Sequence, residues 1–387
     1  MHLSHHRLLL TLSLITLAFG LLSEVALAEA YDVAASVDRD QTRATIISEK
    51  VLCRQPGRYI GWPDIDMTED GEMLVVFSGD RDWHVCPWGK AQMVRSADGG
   101  KTWSEAVTII DTPMDDRDNS IAVLPDGSLY TTYHASLAFA ERTGPRYDPY
   151  KEYADTISEE VRRKHKGFWS ARSTDNGSTW DEPVKLPAMT PHGPTVLADG
   201  RLIMIGGGNV FHSADNGVTW EQAGTIPRNP ETWKSRYAFM SEPACVQASD
   251  GRIIALARYR DGSDIDLRQT VSVDGGKTWS EPTPTGMRGY PAHILKLSKG
   301  WLLASYGRRI APMGQRACIS TDNGETWLVD DEIILSNAVP QGAGELGYPA
   351  TAQLPDGSLW TVYYQVEKHE HGEYPSLMAT HWRLRGR

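Results

Sequence analysis

Short runs of alternating apolar and polar residues, rich in β-branched and aromatic side chains, break six times on a two-residue turn. The turns are Asp70-Gly71, Asp126-Gly127, Asp199-Gly200, Asp250-Gly251, Lys299-Gly300 and Asp356-Gly357. Their flanks, such as VLPDGSLYTTY, QASDGRIIALARY and QLPDGSLWTVYY, carry the period of two that a half-buried strand requires. Gly in the turn supplies the left-handed backbone of a tight hairpin. Each turn therefore predicts two antiparallel strands, one on either side of it.

Between these hairpins a second pattern, Ser-x-Asp-x-Gly-x-Thr-Trp, occurs five times: at 96–103 (SADGGKTW), 173–180 (STDNGSTW), 213–220 (SADNGVTW), 272–279 (SVDGGKTW) and 320–327 (STDNGETW). Asp-x-Gly is turn chemistry and Thr-Trp is strand chemistry, so each box joins two more strands. One small β unit repeated along a chain stacks or closes into a ring. The spacing leaves room for about four short strands per repeat, and the fold class is all-β: a six-bladed β-propeller with Asp-box repeats. The last repeat lacks its box and ends in LMATHWRLR, so the early segment RATIISEKVL at 43–52 is expected to supply its missing strand and close the ring. Box Asp and Trp residues then sit on the face opposite the hairpin ends and are structural.

Arg7 and three histidines precede an apolar run from Leu8 to Leu22, and Ala26-Leu27-Ala28 offers a small-x-small cleavage site. Residues 1–28 are read as an export signal and 29–387 as the propeller, with no membrane span after cleavage and a periplasmic or extracellular destination. A net charge of −11 argues against nucleic acid as a partner, which needs a basic face. Of four scattered cysteines, Cys245 and Cys318 lie in strand-like runs and read as buried thiols. Export would permit a Cys53–Cys86 disulfide.

The repeat register also locates the chemistry. In a propeller, the start of the strand before each hairpin turn and the end of the strand after it share one face. About nine residues before the turn glycines stand Trp62, Asp118, Pro191 beside His192, Glu242, Tyr290 and Tyr348. Contexts repeat: Gly61-Trp62-Pro63, Ser241-Glu242-Pro243, Gly289-Tyr290-Pro291 and Gly347-Tyr348-Pro349. Polar and aromatic residues converging on one axis describe a pocket floor. The far strand ends add Asp80-Arg81-Asp82, His84, His134, Arg258, Arg260, Arg308 and Arg309, with Arg316 following. His84, His192 and His293 share no ligand spacing, so no metal and no cofactor is expected.

Boxes, hairpin repeat and pocket register together resemble the sialidase superfamily of glycoside hydrolases over essentially all of 29–387. The resemblance implies Tyr348 as nucleophile, Glu242 as its base, and Asp80 or its neighbour Asp82 as acid and base toward the leaving group. It implies Arg258, with Arg309 or else Arg316, as grips on a substrate carboxylate. The family opens blade one with Arg-Ile-Pro, where this chain has Gly61-Trp62-Pro63. Arg58 or Arg81 would have to substitute, and Trp62 suggests a sugar ring stacked on an aromatic face. The implied activity is retaining hydrolysis of a terminal, acidic sugar from a glycan. A lyase acting on uronates through His192, His293 and Tyr348, or a propeller that binds glycans without chemistry, remains compatible with the same residues. The longest interruption, 135–169, contains PYKEYADTISEEVRRKHKG and is read as a short helical lid on the pocket rim or a solvated excursion.

Overall fold

The computed structural model describes residues 36–235, 237–337, 345–369 and 372–385, plus the backbone of 27–28 and 31–32. Apart from Leu27 and Ala28, the expected export signal lies outside the described residues. Among the described residues no helix is long and apolar enough to cross a membrane.

Six antiparallel sheets surround a common axis, and the alternating pattern accounts for each of them. Blades one to five contain four strands apiece, their innermost strands being Tyr59–Met67, Asp115–Val123, Thr195–Val196, Ser241–Gln247 and Ala292–Lys296. Blade six runs outward from Leu346–Gln353 through Leu359–His369 and Gly372–Leu384 to the early strand Ala44–Cys53. Ala44 pairs with Leu384 and Lys50 with Ala379, so strands from the two ends of the propeller close the ring, as the missing sixth box required. Closure packs the innermost strand of blade six against that of blade one and leaves each blade only a short outer edge.

The boxes behave as turn locks. In the first, Ser96 Oγ donates to Asp98 Oδ1 at 2.9 Å and accepts from Gly100 N at 2.9 Å, while Thr102 Oγ1 donates to Asp98 Oδ2 at 2.7 Å. Asp175, Asp215, Asp274 and Asp322 accept from Thr179, Thr219, Thr278 and Thr326 in the same way. Hydrogen bonds from Thr179 and Thr278 hold the carboxyls of Asp175 and Asp274 down at about 2. Gly100 has φ +84°, and a Cβ there would meet the Trp360 ring at 2.4 Å. Trp103, fully buried, packs edge-on against that same Trp360.

The 135–169 interruption forms a short 3-10 turn (Ala138–Glu141) and two helices, Asp148–Thr156 and Glu159–His165. Ser158 caps the second helix by accepting from Val161 N. Phe139, Tyr150, Ala154 and Ile157 bury against Val85, Cys86 and Met114. Trp88 packs at a tilt against Tyr153, ring centres 4.7 Å apart, and Arg146 lies 4.3 Å over Trp83. The insertion thus braces the loop that follows Arg81. All four cysteines are free thiols, three of them buried, so the Cys53–Cys86 disulfide that export would permit is not formed.

Asp116 is completely buried between Thr112 N and Thr112 Oγ1, which donate to it at 2.6 and 2.8 Å. Burial pushes its carboxyl up from 3.8 to about 8, with Asp115 and Asp111 adding to the rise against the Thr112 bonds. A carboxyl raised in the folded state keeps its proton where the unfolded chain has released it, so its contribution to stability falls as pH rises from about 4 to 8. Asp116→Asn is expected to flatten that part of the pH dependence. Urea midpoints of both proteins at pH 5 and pH 8 measure it, and parallel slopes would refute the assignment.

Candidate active site

Four of the six innermost strands carry the same local defect near one end. Trp62-Pro63 lies opposite Phe77 alone, Asp118-Asn119 opposite Tyr133, Glu242-Pro243 opposite Ala257, and Tyr348-Pro349 opposite Tyr363. These are β-bulges with two residues facing one, and the first of each pair is left-handed: φ is 54° at Trp62, 55° at Asp118, 49° at Glu242 and 51° at Tyr348. Such conformations cost about 1–3 kcal/mol each for a side chain other than glycine, and they cluster where function re-aims a residue. The register of about nine residues before each turn has this physical cause. A bulge at the same height in four blades turns four side chains toward the hub.

At the centre, Tyr348 Oη donates a short hydrogen bond to Glu242 Oε1. Glu242 accepts from Arg258 Nη1 at 3.0 and 2.8 Å. Burial, then the charges of Glu242 and Asp118, hold the Tyr348 phenol well above the usual value, with Arg258 and Arg309 pulling the other way. Arg258 is 9% exposed and lies over two aromatic rings, 3.9 Å from the centre of Tyr237 and 4.1 Å from that of Tyr290. Arg309 sits 5.3 Å from the Tyr290 ring centre, with Nη2 at 3.4 Å from Tyr364 Oη. The Nε atoms of Arg258 and Arg309 are buried without an acceptor. Two cations, a carboxylate and a phenol thus share one largely buried floor.

Other expected residues fall elsewhere. Arg316 is 1% exposed and spends its guanidinium on the carbonyls of Gln315, Ser336 and Pro312, so Arg309 faces the floor and Arg316 does not. Arg81 is fully buried in a two-pronged pair with Asp115, at 2.6 and 2.9 Å. Arg58 is held by Asp80 and Asp82. Neither Arg81 nor Arg58 replaces the arginine that blade one lacks. Trp62 is 1% exposed, with Arg81 and Arg117 at 4.7 and 4.4 Å from its ring centre, so it has no open face for a sugar. Asp80, also left-handed at φ 53°, lies in an ion-pair network with Arg58 and Lys90 rather than against Tyr348. Asp82 accepts from Arg58 and, at 3.3 Å, from Tyr150 Oη of the helical insertion.

His192 and His293 lie beneath the floor. His192 Nδ1 stands 3.2 Å from Asp64, its ring 6.0 Å from that of Tyr348. His293 Nδ1 accepts from Thr351 N, and burial drives its imidazole down to about 3, so it is neutral. Both border a cavity of about 490 Å³ on the hub axis, lined by residues from all six blades. Asp64 and Thr351 thus hold the two imidazoles in place.

Three features escaped the sequence reading. Arg117, one residue before Asp118, has its guanidinium against Trp62, pairs with Asp118 at 3.1 Å and shares the electrostatic field of Tyr348. Tyr364 stands seven residues after Gly357, the same offset that places Arg258 after Gly251, so the register rule could have found it. Glu345 accepts from Tyr59 Oη at 2.5 Å and lies 3.1 Å from His84 Nδ1; no repeat signal marks it.

The family described as BNR repeat-like domain matches residues 155–361. A protein of unknown function from Dyadobacter fermentans superposes with a TM-score of 0.72 at 22% identity, over 88% of this chain and 99% of that one. The NanB sialidase from Streptococcus pneumoniae follows at 0.64 and 13%, over 86% and 70%. An alpha-L-arabinanase from Penicillium chrysogenum, complexed with arabinobiose, gives 0.52 and 13%, over 87% and 98%. Identities this low speak for a shared fold and leave the chemistry to the residues at the hub.

Proposed function

Because the chain belongs to the BNR repeat-like domain family, we propose that its sialidase-like propeller is an exported retaining exo-glycosidase that removes a terminal acidic sugar from glycans. The observation that carries this reading is the hydrogen bond from Tyr348 Oη to Glu242, with Arg258 and Arg309 beside it. A phenol is a weak nucleophile near neutral pH and needs a neighbouring base. Glu242 takes the phenolic proton as Tyr348 Oη attacks the anomeric carbon, and the bond to the leaving oxygen breaks. A neutral phenol approaches an acidic sugar without the repulsion that a carboxylate nucleophile would meet.

Asp80 is proposed to protonate the departing oxygen. As a carboxylate it then takes a proton from water, which attacks the same carbon and releases Tyr348, whose proton returns from Glu242. Two displacements at one carbon retain the anomeric configuration. Arg258 and Arg309 are proposed to bind the substrate carboxylate, with Arg117 supplying a third cation from blade two where blade one has Trp62.

Aryl glycosides of nonulosonic and uronic sugars, followed by proton NMR, test the reading. The first product is expected to keep the anomeric configuration of the substrate. Asp80→Asn is expected to slow hydrolysis about a hundredfold with a poor leaving group and far less with an activated one, since protonation then matters less. Equal losses on both would remove Asp80 from the acid role. An unsaturated product absorbing in the ultraviolet would replace hydrolysis by elimination.

A further inference from the structure

Arg258 and Arg309 also border a second cavity, of about 400 Å³. Its wall includes Tyr237, Arg258, Arg260, Arg288, Tyr290 and Arg309. Four guanidiniums border it, and no carboxylate of the described residues does. Arg258 is compensated by Glu242. Among the described residues the other three meet only neutral groups at hydrogen-bond distance: Arg260 Nη1 donates to Tyr290 Oη at 3.0 Å, Arg288 Nη2 to the Ser263 carbonyl at 3.4 Å, and Arg309 Nη2 to Tyr364 Oη at 3.4 Å. Buried Nε donors on Arg258 and Arg309 have no acceptor. Such donors call for a partner, and in a chain of net charge −11 a local excess of cations is a feature of this cavity, not of the surface at large.

A single carboxylate can satisfy Arg258 and Arg309. It does not reach Arg260, which follows Arg258 by two residues off the same strand end and turns its guanidinium to Tyr290 Oη, or Arg288, which enters exposed from the outer strand Thr283–Arg288 of that sheet. Planar carboxylates suit one bidentate fork, whereas a tetrahedral oxyanion accepts from several directions at once. We propose that this cavity holds a second anionic group of the substrate, a sulfate or phosphate ester, through Arg260 and Arg288. The enzyme is then selective for glycans that carry an ester anion close to the acidic sugar. This rests on the proposed function only in taking the Glu242–Tyr348 floor as the neighbouring sugar site.

Calorimetric titration at low salt with unsulfated and 6-sulfated chondroitin disaccharides, each a uronate joined to an amino sugar, tests the proposal. Wild type is expected to bind the sulfated form about tenfold or more tightly, the scale of one charge-assisted contact. Arg260→Ala/Arg288→Ala is expected to reduce that preference to less than about threefold. Arg260→Lys/Arg288→Lys, which keeps the charge, should retain part of it and guards against simple misfolding. Inorganic sulfate and inorganic phosphate compete in parallel titrations, and the stronger competitor identifies the ester.

Equal wild-type affinity for both disaccharides overturns the proposal, as does a preference that survives the double alanine change. Failure of wild type to bind either disaccharide or either inorganic anion overturns it too. The preference should persist in Tyr348→Phe, so loss of hydrolysis and loss of this site are separable results.

Discussion

Replacing Tyr348 by Phe is expected to lower kcat by about a thousandfold or more while the propeller stays folded. The ring remains, so the packing around Trp62, His192 and Tyr364 is kept. Only the hydroxyl and its bond to Glu242 are lost. Glu242 keeps both contacts from Arg258, so no buried charge is stranded, and the stability cost is about 1 kcal/mol. The expected signature is therefore a dead enzyme with a melting temperature near that of wild type. Turnover of an activated aryl glycoside and a thermal melt, made on the same preparation, settle it. Wild-type kcat in the variant would leave the mechanism without its nucleophile. A large fall in melting temperature would instead make Tyr348 a packing residue.

The repeat architecture was legible because each blade writes its own turn and box, and six imperfect copies reinforce one another. Ring closure by the early strand followed from one missing box, and the observed pairing of Ala44 with Leu384 begins within a residue of the expected segment. The height of the hub residues was legible for a subtler reason: the bulges at Trp62, Asp118, Glu242 and Tyr348 occur at one register, and three of them are written as x-Pro. What a repeat register cannot convey is the direction of a long side chain. Arg309 and Arg316 are close in sequence and equally polar, yet one faces the Tyr290 ring and the other is wrapped by backbone carbonyls. Arg81 and Arg117 differ in the same way. Each belongs to a charge cluster that a solvated loop could equally carry, and only packing shows that Arg81 is consumed by Asp115. Trp62 occupied the expected position and still offers no stacking surface, because two guanidiniums and Tyr59 cover it.

Arg81→Met is expected to destabilise the protein by about 3–5 kcal/mol, the usual consequence of stranding one partner of a buried ion pair. Both Arg81 and Asp115 have no exposed side-chain surface. With Arg81 gone, the nearest cation to Asp115 is Arg117 at 3.8 Å, too long for a good hydrogen bond. Space does not permit an easy repair from the neighbouring loop, since a Cβ at Gly89 would lie 2.0 Å from Arg81 Nη1 and 2.4 Å from Asp115 Oδ1. The double change Arg81→Met/Asp115→Leu removes both charges and is expected to recover most of the loss, because a well-packed apolar pair of similar volume is often as stable as the ion pair it replaces. The site gives a second readout. Asp115 left alone draws Arg117 away from Asp118, so the single variant should raise KM for the acidic substrate more than the double variant does. Urea unfolding of the two variants, with KM measured on each, separates the effects. A single variant as stable as wild type would show that Arg117 or water compensates Asp115. A double variant as unstable as the single would show that the side-chain volume of Arg81, not its charge, holds the loop between blades one and two.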